Sequence, residues 1–222
     1  MKSLLSRRSI RKYTTEDVSD ELLYRLLADS EHTQTMGNLQ LYSVIITRDR
    51  EKKRQLSPVH FNQPMVEGAP VVLTFCADFR RTTLWAEERM ANPGYSNFLS
   101  FVNAASDTLL YCQTFCNIAE EQGLGLCYLG TTVYMPEKII DILKLPKLVM
   151  PIATITLGWP DEMPAQSDRL PLNAIIHSET YHDYSPEMID RFYTPKEELP
   201  QNKQFVAINH KETLAQVFTD IR

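Results

Sequence analysis

FLSFVNAASDTLLYCQTFCNIAEEQGLGLCYLG, residues 98–130, reads as a long apolar helix that runs into glycines and then into a strand. Phe101, Val102, Ala104, Ala105, Leu109, Leu110, Phe115, Ile118 and Ala119 cover most faces of the segment 98–122. A helix apolar nearly all round belongs in a large core or at a subunit interface. Gly123 stands where such a helix ends in a left-handed residue. Residues 126–129 then form a short strand. Gly123, Gly125 and Gly130 imitate a dinucleotide-binding fingerprint, but that motif follows a strand and opens a helix, so that phosphate meets the helix N-terminus. Here the order is reversed, and the doubly wound reading fails on context.

Working outward, residues 41–47 (LYSVIIT) and 70–77 (PVVLTFCA) read as strands. The second is nearly continuous in apolar character and hence central. Residues 150–157 form the last clear strand. Ser19-Asp20-Glu21 supplies a cap and an acidic first turn to a helix that carries Leu22, Leu23, Leu26 and Leu27 and ends near Ser30. Pro136 opens a further helix at its preferred first position. From Gly158-Trp159-Pro160 onward the chain reads as irregular. After about Tyr193 it is polar, and only residues 211–221 recover helical periodicity. No repeat and no linker divides the chain, so it reads as one domain over 1–222, with about 194–222 a C-terminal extension.

Composition narrows the function. The 222 residues are 43% apolar and 23% charged, with formal net charge −5, which is ordinary for a protein with a buried core. An acidic chain lacks the dense basic face that nucleic acid requires. The N-terminus has no signal-peptide apolar core, and no window is long enough to span a bilayer. Cys76, Cys112, Cys116 and Cys127 sit in apolar surroundings without disulfide spacing, so they read as buried thiols of a cytoplasmic protein. The pair His177 and His182, with Glu179 between, matches no metal-site spacing and reads as a polar loop. No nucleophile elbow, Walker loop or zinc helix is present, and no metal is expected.

Against the acidic background, Arg7-Arg8-Ser9-Ile10-Arg11-Lys12-Tyr13 concentrates guanidinium groups, which suit bidentate recognition of phosphate. Arg169 adds a separate cation. Gly37-Asn38-Leu39-Gln40 offers side-chain amides at a turn, and Gly130-Thr131-Thr132 exposes backbone N–H groups after a strand. With no catalytic set legible, the reactive atoms belong to a bound cofactor. Phosphate anchors, amides and a bare backbone edge are what a flavin mononucleotide needs.

In that arrangement the chain, from about residue 3 to 184, resembles the FMN-dependent nitroreductase family, in particular its oxygen-insensitive NADPH-type branch. The segments that carry the likeness fall in family order: residues 8–14 (RSIRKYT), 37–40 (GNLQ), 76–78 (CAD), Asp107 and Gln113, 123–125 (GLG), 128–130 (YLG), 157–160 (LGWP) and 169–171 (RLP). The resemblance implies an α+β fold with a central mixed, mainly antiparallel sheet flanked by helices, and a long buried helix at the interface of a homodimer with two FMN sites. It implies ping-pong, two-electron reduction of nitroaromatics, quinones or flavins, with NADPH or NADH as donor and small molecules as acceptors, at no membrane.

It further implies that Arg7, Arg8, Ser9 and Arg169 hold the FMN phosphate. Arg11 would stand near flavin N1 and the C2 carbonyl, where a fixed cation favours the reduced ring. Thr35, Asn38, Gln40 and Gln63 would bind the ring or ribityl chain, and Gly130 and Thr131 would offer backbone donors to N5 and O4, with no side chain to crowd the ring at Gly130. The chain departs from the branch at Ser167, where a lysine is usual, at Arg7, in place of a histidine, and at Thr131, in place of a second glycine. Lys196, Lys203 and Lys211 read as solvated charges of the tail rather than as ligands for a nucleotide phosphate. Two other readings keep the cofactor: a carrier or sensor without turnover, and the same fold with another redox reaction such as reductive dehalogenation.

Overall fold

The structure, a computed structural model, describes residues 2–220, which fall into two compact units that divide between Gln166 and Ser167. The first contains α1 (Lys2–Ser6), α2 (Asp20–Asp29), β1 (Tyr42–Thr47), α3 (Arg50–Leu56), α4 (Pro64–Gly68), β2 (Val71–Asp78), α5 (Arg80–Glu88), α6 (Phe98–Glu121), β3 (Gly125–Leu129), α7 (Pro136–Leu143) and β4 (Val149–Gly158). The strands form one sheet in the order β1-β2-β4-β3, and every pairing between them is antiparallel. β2 is internal and buried along its whole length, as its unbroken apolar run requires.

The long helix begins at a side-chain cap, where Asn97 accepts a hydrogen bond from the Ser100 N–H at 2.9 Å. It ends in a Schellman motif. Gly123 takes φ +85°, its N–H donates to the Glu120 carbonyl, and the Leu124 N–H donates to the Ala119 carbonyl. Between these caps α6 packs Tyr111, Cys112, Phe115, Cys116 and Ala119 against β2 and β4 and against Leu23 and Leu26 of α2. Each fully buried phenylalanine, such as Phe75 or Phe115, contributes on the order of 2 kcal/mol of apolar burial. The opposite flank is not covered in a single chain: Phe98, Leu99, Val102, Leu109 and Leu110 remain exposed. The apolar faces of α6 therefore divide between a core and an open strip.

A smaller core of Leu56, Val59, Met65, Val66 and Ile139 covers the other face of the sheet. Leu126 joins the larger core while Cys127 and Leu129 join the smaller, as strand alternation dictates. No helix among the described residues is long and apolar enough to cross a membrane.

The second unit corrects the expectation of an irregular tail as far as residue 210, while its last helix falls within the stretch 211–221 expected to be helical. It contains α8 (Pro186–Glu197), α9 (Pro200–Ile208) and α10 (Leu214–Thr219). Ser185 caps α8 by accepting from the Met188 N–H, and Pro186 takes the first helical position. Thr213 and Gln216 form a reciprocal capping box on α10. These local signals outweigh the polar composition. His177 and His182 lie in the loop before α8, where His177 stacks on Tyr181 with ring centroids 4.3 Å apart and its Nε2 meets the Tyr184 hydroxyl at 3.1 Å.

Candidate functional site

The arginine segment is fixed to the sheet by its backbone. The Ile10 N–H donates to the Leu126 carbonyl at 2.9 Å, and the Thr14 N–H donates to the Trp159 carbonyl at 2.9 Å. The Glu162 carboxylate accepts from the backbone N–H groups of Arg11 at 2.6 Å and Lys12 at 3.1 Å. Side-chain packing completes the seat. Gly125 and Gly158 face each other across β3 and β4. A Cβ on Gly125 would meet Ile10 at 2.8 Å, and one on Gly158 would meet Pro70 at 2.7 Å and Tyr13 at 2.9 Å. The two glycines thus leave the space that Ile10 and Tyr13 fill.

Held in this way, Arg7 and Arg8 line a cleft of about 230 Å³ with Ile10, Glu120, Gly125 and Met163. Arg7 Nε lies 3.8 Å from Glu120, whose carboxyl is pushed up by burial and pulled back by that guanidinium. Arg8 donates to the Ser6 carbonyl at 2.8 Å, while its buried Nε has no partner among the described residues. A buried guanidinium N–H without an acceptor is costly, and an anion in the cleft would satisfy it. Ser9 is half-buried in the same segment, and its carbonyl accepts a long bond from Arg11 at 3.4 Å. Burial pushes the Cys127 thiol up, and the Arg11 and Arg7 guanidinium groups pull against it, so Arg11 stands beside the middle of β3.

Gly130 and Thr131 follow directly at the far end of β3, in a 3-10 turn. At about 3.3 Å per residue, Gly130 lies roughly 17 Å from Gly125. An elongated ligand with an anionic end and a flat end has matching groups along that strand. Nothing within the described chain lies within 4 Å of a Cβ added at Gly130, and its φ is not in the left-handed region. Neither packing nor backbone geometry demands glycine there. Thr131 and Gln63 meet around His60: His60 Nδ1 is 2.7 Å from Thr131 Oγ1, and the Gln63 amide donates to the His60 carbonyl at 3.0 Å.

The amide loop sits elsewhere in the same unit. Asp107 on α6 is almost completely buried and accepts from the Met36 N–H at 2.8 Å and the Leu41 N–H at 3.3 Å, pinning both ends of the turn. Thr35 is half-buried at its start. Asn38 and Gln40 are exposed with φ +55° and +53°. Asparagine tolerates that region, but glutamine seldom adopts it, so the loop is held open against local preference. Arg81 donates to the Gln40 carbonyl and helps to hold it there.

Arg169 belongs to the second unit. There it lines a cleft of about 620 Å³ with Arg191, Phe192, Pro195 and Lys196, and donates to the carbonyls of Ser167 at 3.1 Å and Asp168 at 2.8 Å. Lys196, Lys203 and Lys211 are each ion-paired within the unit, to Asp168, Glu198 and Asp220. All four cysteines are buried and unpaired.

The structure thus gathers Arg7, Arg8, Ser9 and Arg11 at one part of β3, and Gln63, Gly130 and Thr131 at its far end. Thr35, Asn38 and Gln40 form a separate loop on α6. Sequence reading did not find Glu162 as the acceptor that holds the arginine backbone, nor His60 as the link between Gln63 and Thr131. Glu162 lies 151 residues from Arg11 and His60 lies 71 from Thr131, and no local pattern announces either pairing.

Residues 4–159 match the sequence profile of the Nitroreductase family. Among curated relatives, an FMN reductase [NAD(P)H] of Bacillus subtilis is 36% identical over 183 residues, covering 82% of this chain and 74% of its own. An oxygen-insensitive NADPH nitroreductase of Salmonella typhimurium is 31% identical over 189 residues, covering 85% and 77%. The crystal structure of a Bacteroides fragilis protein superposes with TM-score 0.96 at 61% identity, covering 100% of this chain and 90% of that one.

Proposed function

This chain belongs to the nitroreductase family, and from that premise we propose that it is an FMN-dependent oxidoreductase that takes electrons from NADPH or NADH. The observation that carries the proposal is Gly130. Its missing side chain is required by nothing in the chain, yet it opens a bare backbone edge at the end of a strand whose other end carries Arg7 and Arg8. The orphaned Nε of Arg8 suits a phosphate, so the residues present fit FMN.

When bound, FMN supplies the two-electron chemistry. Arg7, Arg8 and Ser9 would hold its phosphate. Arg11 would place positive charge beside the ring and favour electron uptake. Gln63, Gly130 and Thr131, with Thr35, Asn38 and Gln40, would bind the ring edge and the ribityl chain. Donor and acceptor would use the same face in turn, in a ping-pong cycle, the acceptors being nitroaromatics, quinones or free flavins.

The site would be completed by a homodimer. Asp107, which pins the amide loop, and Glu120, which meets Arg7, are 13 residues apart on α6, or about 20 Å at 1.5 Å per residue. One protomer's loop therefore stands near the middle of α6 and its arginines near the C-terminal end. A two-fold axis across α6 would set two copies antiparallel and bring the loop of one toward the arginines of the other, covering the exposed strip of Leu109 and Leu110.

The test is direct. Purified protein should carry, or take up, a yellow chromophore with flavin absorbance, bleach under nitrogen with NADPH or NADH, and recover colour with a quinone or nitrofuran. A protein that refuses FMN would overturn the proposal. One that binds FMN but does not bleach would be a carrier.

A further inference from the structure

His60 is completely buried, and its contacts fix the proton inventory around Thr131. Burial holds the ring well below its ordinary value, at about 4, so it is neutral near pH 7. A neutral imidazole carries one N–H. Its Nε2 has no hydrogen-bond partner among the described residues, whereas Nδ1 is 2.7 Å from Thr131 Oγ1. A proton on Nε2 would bury a donor without an acceptor, and burying an unpaired donor is costly. A proton on Nδ1 is matched by the threonine oxygen. The tautomer that loses least therefore has His60 donating to Thr131.

That direction has a consequence for the site. The Thr131 oxygen already accepts, so its own hydroxyl proton is not needed by His60 and remains available to another acceptor. Thr131 is half-buried, which leaves it accessible to a ligand beside Gly130. The turn that carries His60 is fixed by its backbone, whose carbonyl accepts from the Gln63 side-chain amide at 3.0 Å and whose N–H donates to the Ser57 carbonyl at 3.0 Å, and complete burial confines the ring itself.

Resting on the proposal that FMN lies at Gly130, we propose that the Thr131 hydroxyl is a further donor to the flavin rim bearing N5 and the C4 carbonyl, and that His60 is the positioning residue that fixes its direction. In the reduced ring N5 would carry a hydrogen, whereas the C4 carbonyl oxygen would gain negative charge, so it is at that oxygen that a fixed donor would strengthen as electrons arrive. A glycine at this position would offer only its backbone.

The experiment compares Thr131→Val, which keeps the shape and removes the hydroxyl, with Thr131→Ser, which restores it. FMN binding, the visible spectrum of bound FMN and its midpoint potential are measured beside a thermal melt. Thr131→Val should weaken FMN about fivefold, the equilibrium equivalent of about one hydrogen bond. It should also shift the visible band and lower the potential, and Thr131→Ser should return all three to wild type. His60→Leu should reproduce part of the potential shift with Thr131 intact. If Thr131→Val fails to fold, Thr131→Ala takes its place. A valine or alanine variant with lower thermal stability but unchanged spectrum and potential would overturn the inference, leaving the hydroxyl a purely structural role. Failure of wild-type protein to bind FMN would instead overturn the cofactor reading on which it rests.

Discussion

Ile10 occupies the space that a side chain on Gly125 would need: a Cβ built there lies 2.8 Å from Ile10 Cβ. The same contact seats the arginine segment, because the Ile10 N–H is bonded to the next carbonyl of the strand, that of Leu126. Gly125→Ala should therefore displace residues 7–11 rather than only crowd the core. The expected cost is about 1–3 kcal/mol, the range for overpacking, together with weaker FMN binding. Urea denaturation and FMN titration of the variant check both, and retention of wild-type affinity would show that the seat does not align the arginines.

Gly130 makes the opposite case five residues on. An added methyl meets no atom of the chain and no left-handed φ opposes it. Gly130→Ala should leave stability unchanged or raise it by roughly 0.4–1 kcal/mol, through a less flexible unfolded chain. FMN affinity should nevertheless fall at least about tenfold, equivalent to about 1.4 kcal/mol. A variant that is stable and binds FMN normally would remove Gly130 from the cofactor edge.

These two glycines also mark what the sequence can tell. They stand in one short run with the same letter, yet one answers to Ile10, 115 residues earlier, and the other to nothing in the chain. A local rule found the C-terminal end of α6, because a left-handed glycine such as Gly123 is a property of neighbouring residues. Another found β2, because a strand buried on both faces has an apolar side chain at nearly every position. The last helix, Leu214–Thr219, falls inside the stretch 211–221 whose periodicity is legible, but the two helices between Pro186 and Ile208 were missed, although Ser185-Pro186 is a local signal. Phe192 is the one buried side chain in α8 and α9 together, too narrow an apolar stripe to read as helical periodicity. The bond between His60 and Thr131 spans 71 residues and exists only once both turns have packed.

His60 gives the fold an acid-sensitive group whose sign is determined. Its folded value near 4 lies below the ordinary 6.5, because burial disfavours the cation. The unfolded chain takes up a proton near pH 6.5 while the folded chain does not until about pH 4. The stability from this residue is thus complete above pH 6.5 and is lost as pH falls toward 4. At about 1.4 kcal/mol per unit the loss is of the order of 3 kcal/mol. Urea midpoints from pH 7 to 4.5 should fall more steeply for wild type than for His60→Asn, which cannot charge. Parallel curves would show that His60 is not buried as a neutral ring.

The exposed apolar strip of α6 links assembly to the cofactor. Leu109 and Leu110 are 43% and 46% exposed in a single chain, so a charge at either position costs little in an isolated protomer. At the centre of a dimer interface the same charge would be buried without a partner, at a cost of about 3 kcal/mol or more. That cost weakens association more than a hundredfold. Leu109→Glu should therefore sediment as a monomer at micromolar concentration while keeping the wild-type thermal transition of the isolated chain. Because the amide loop and the arginines stand about 20 Å apart on one α6, the monomer should also lose FMN. Sedimentation recorded at both protein and flavin wavelengths reads the two events in one run. Flavin that travels with the monomer would show that one chain binds it unaided, and the composite site would be wrong.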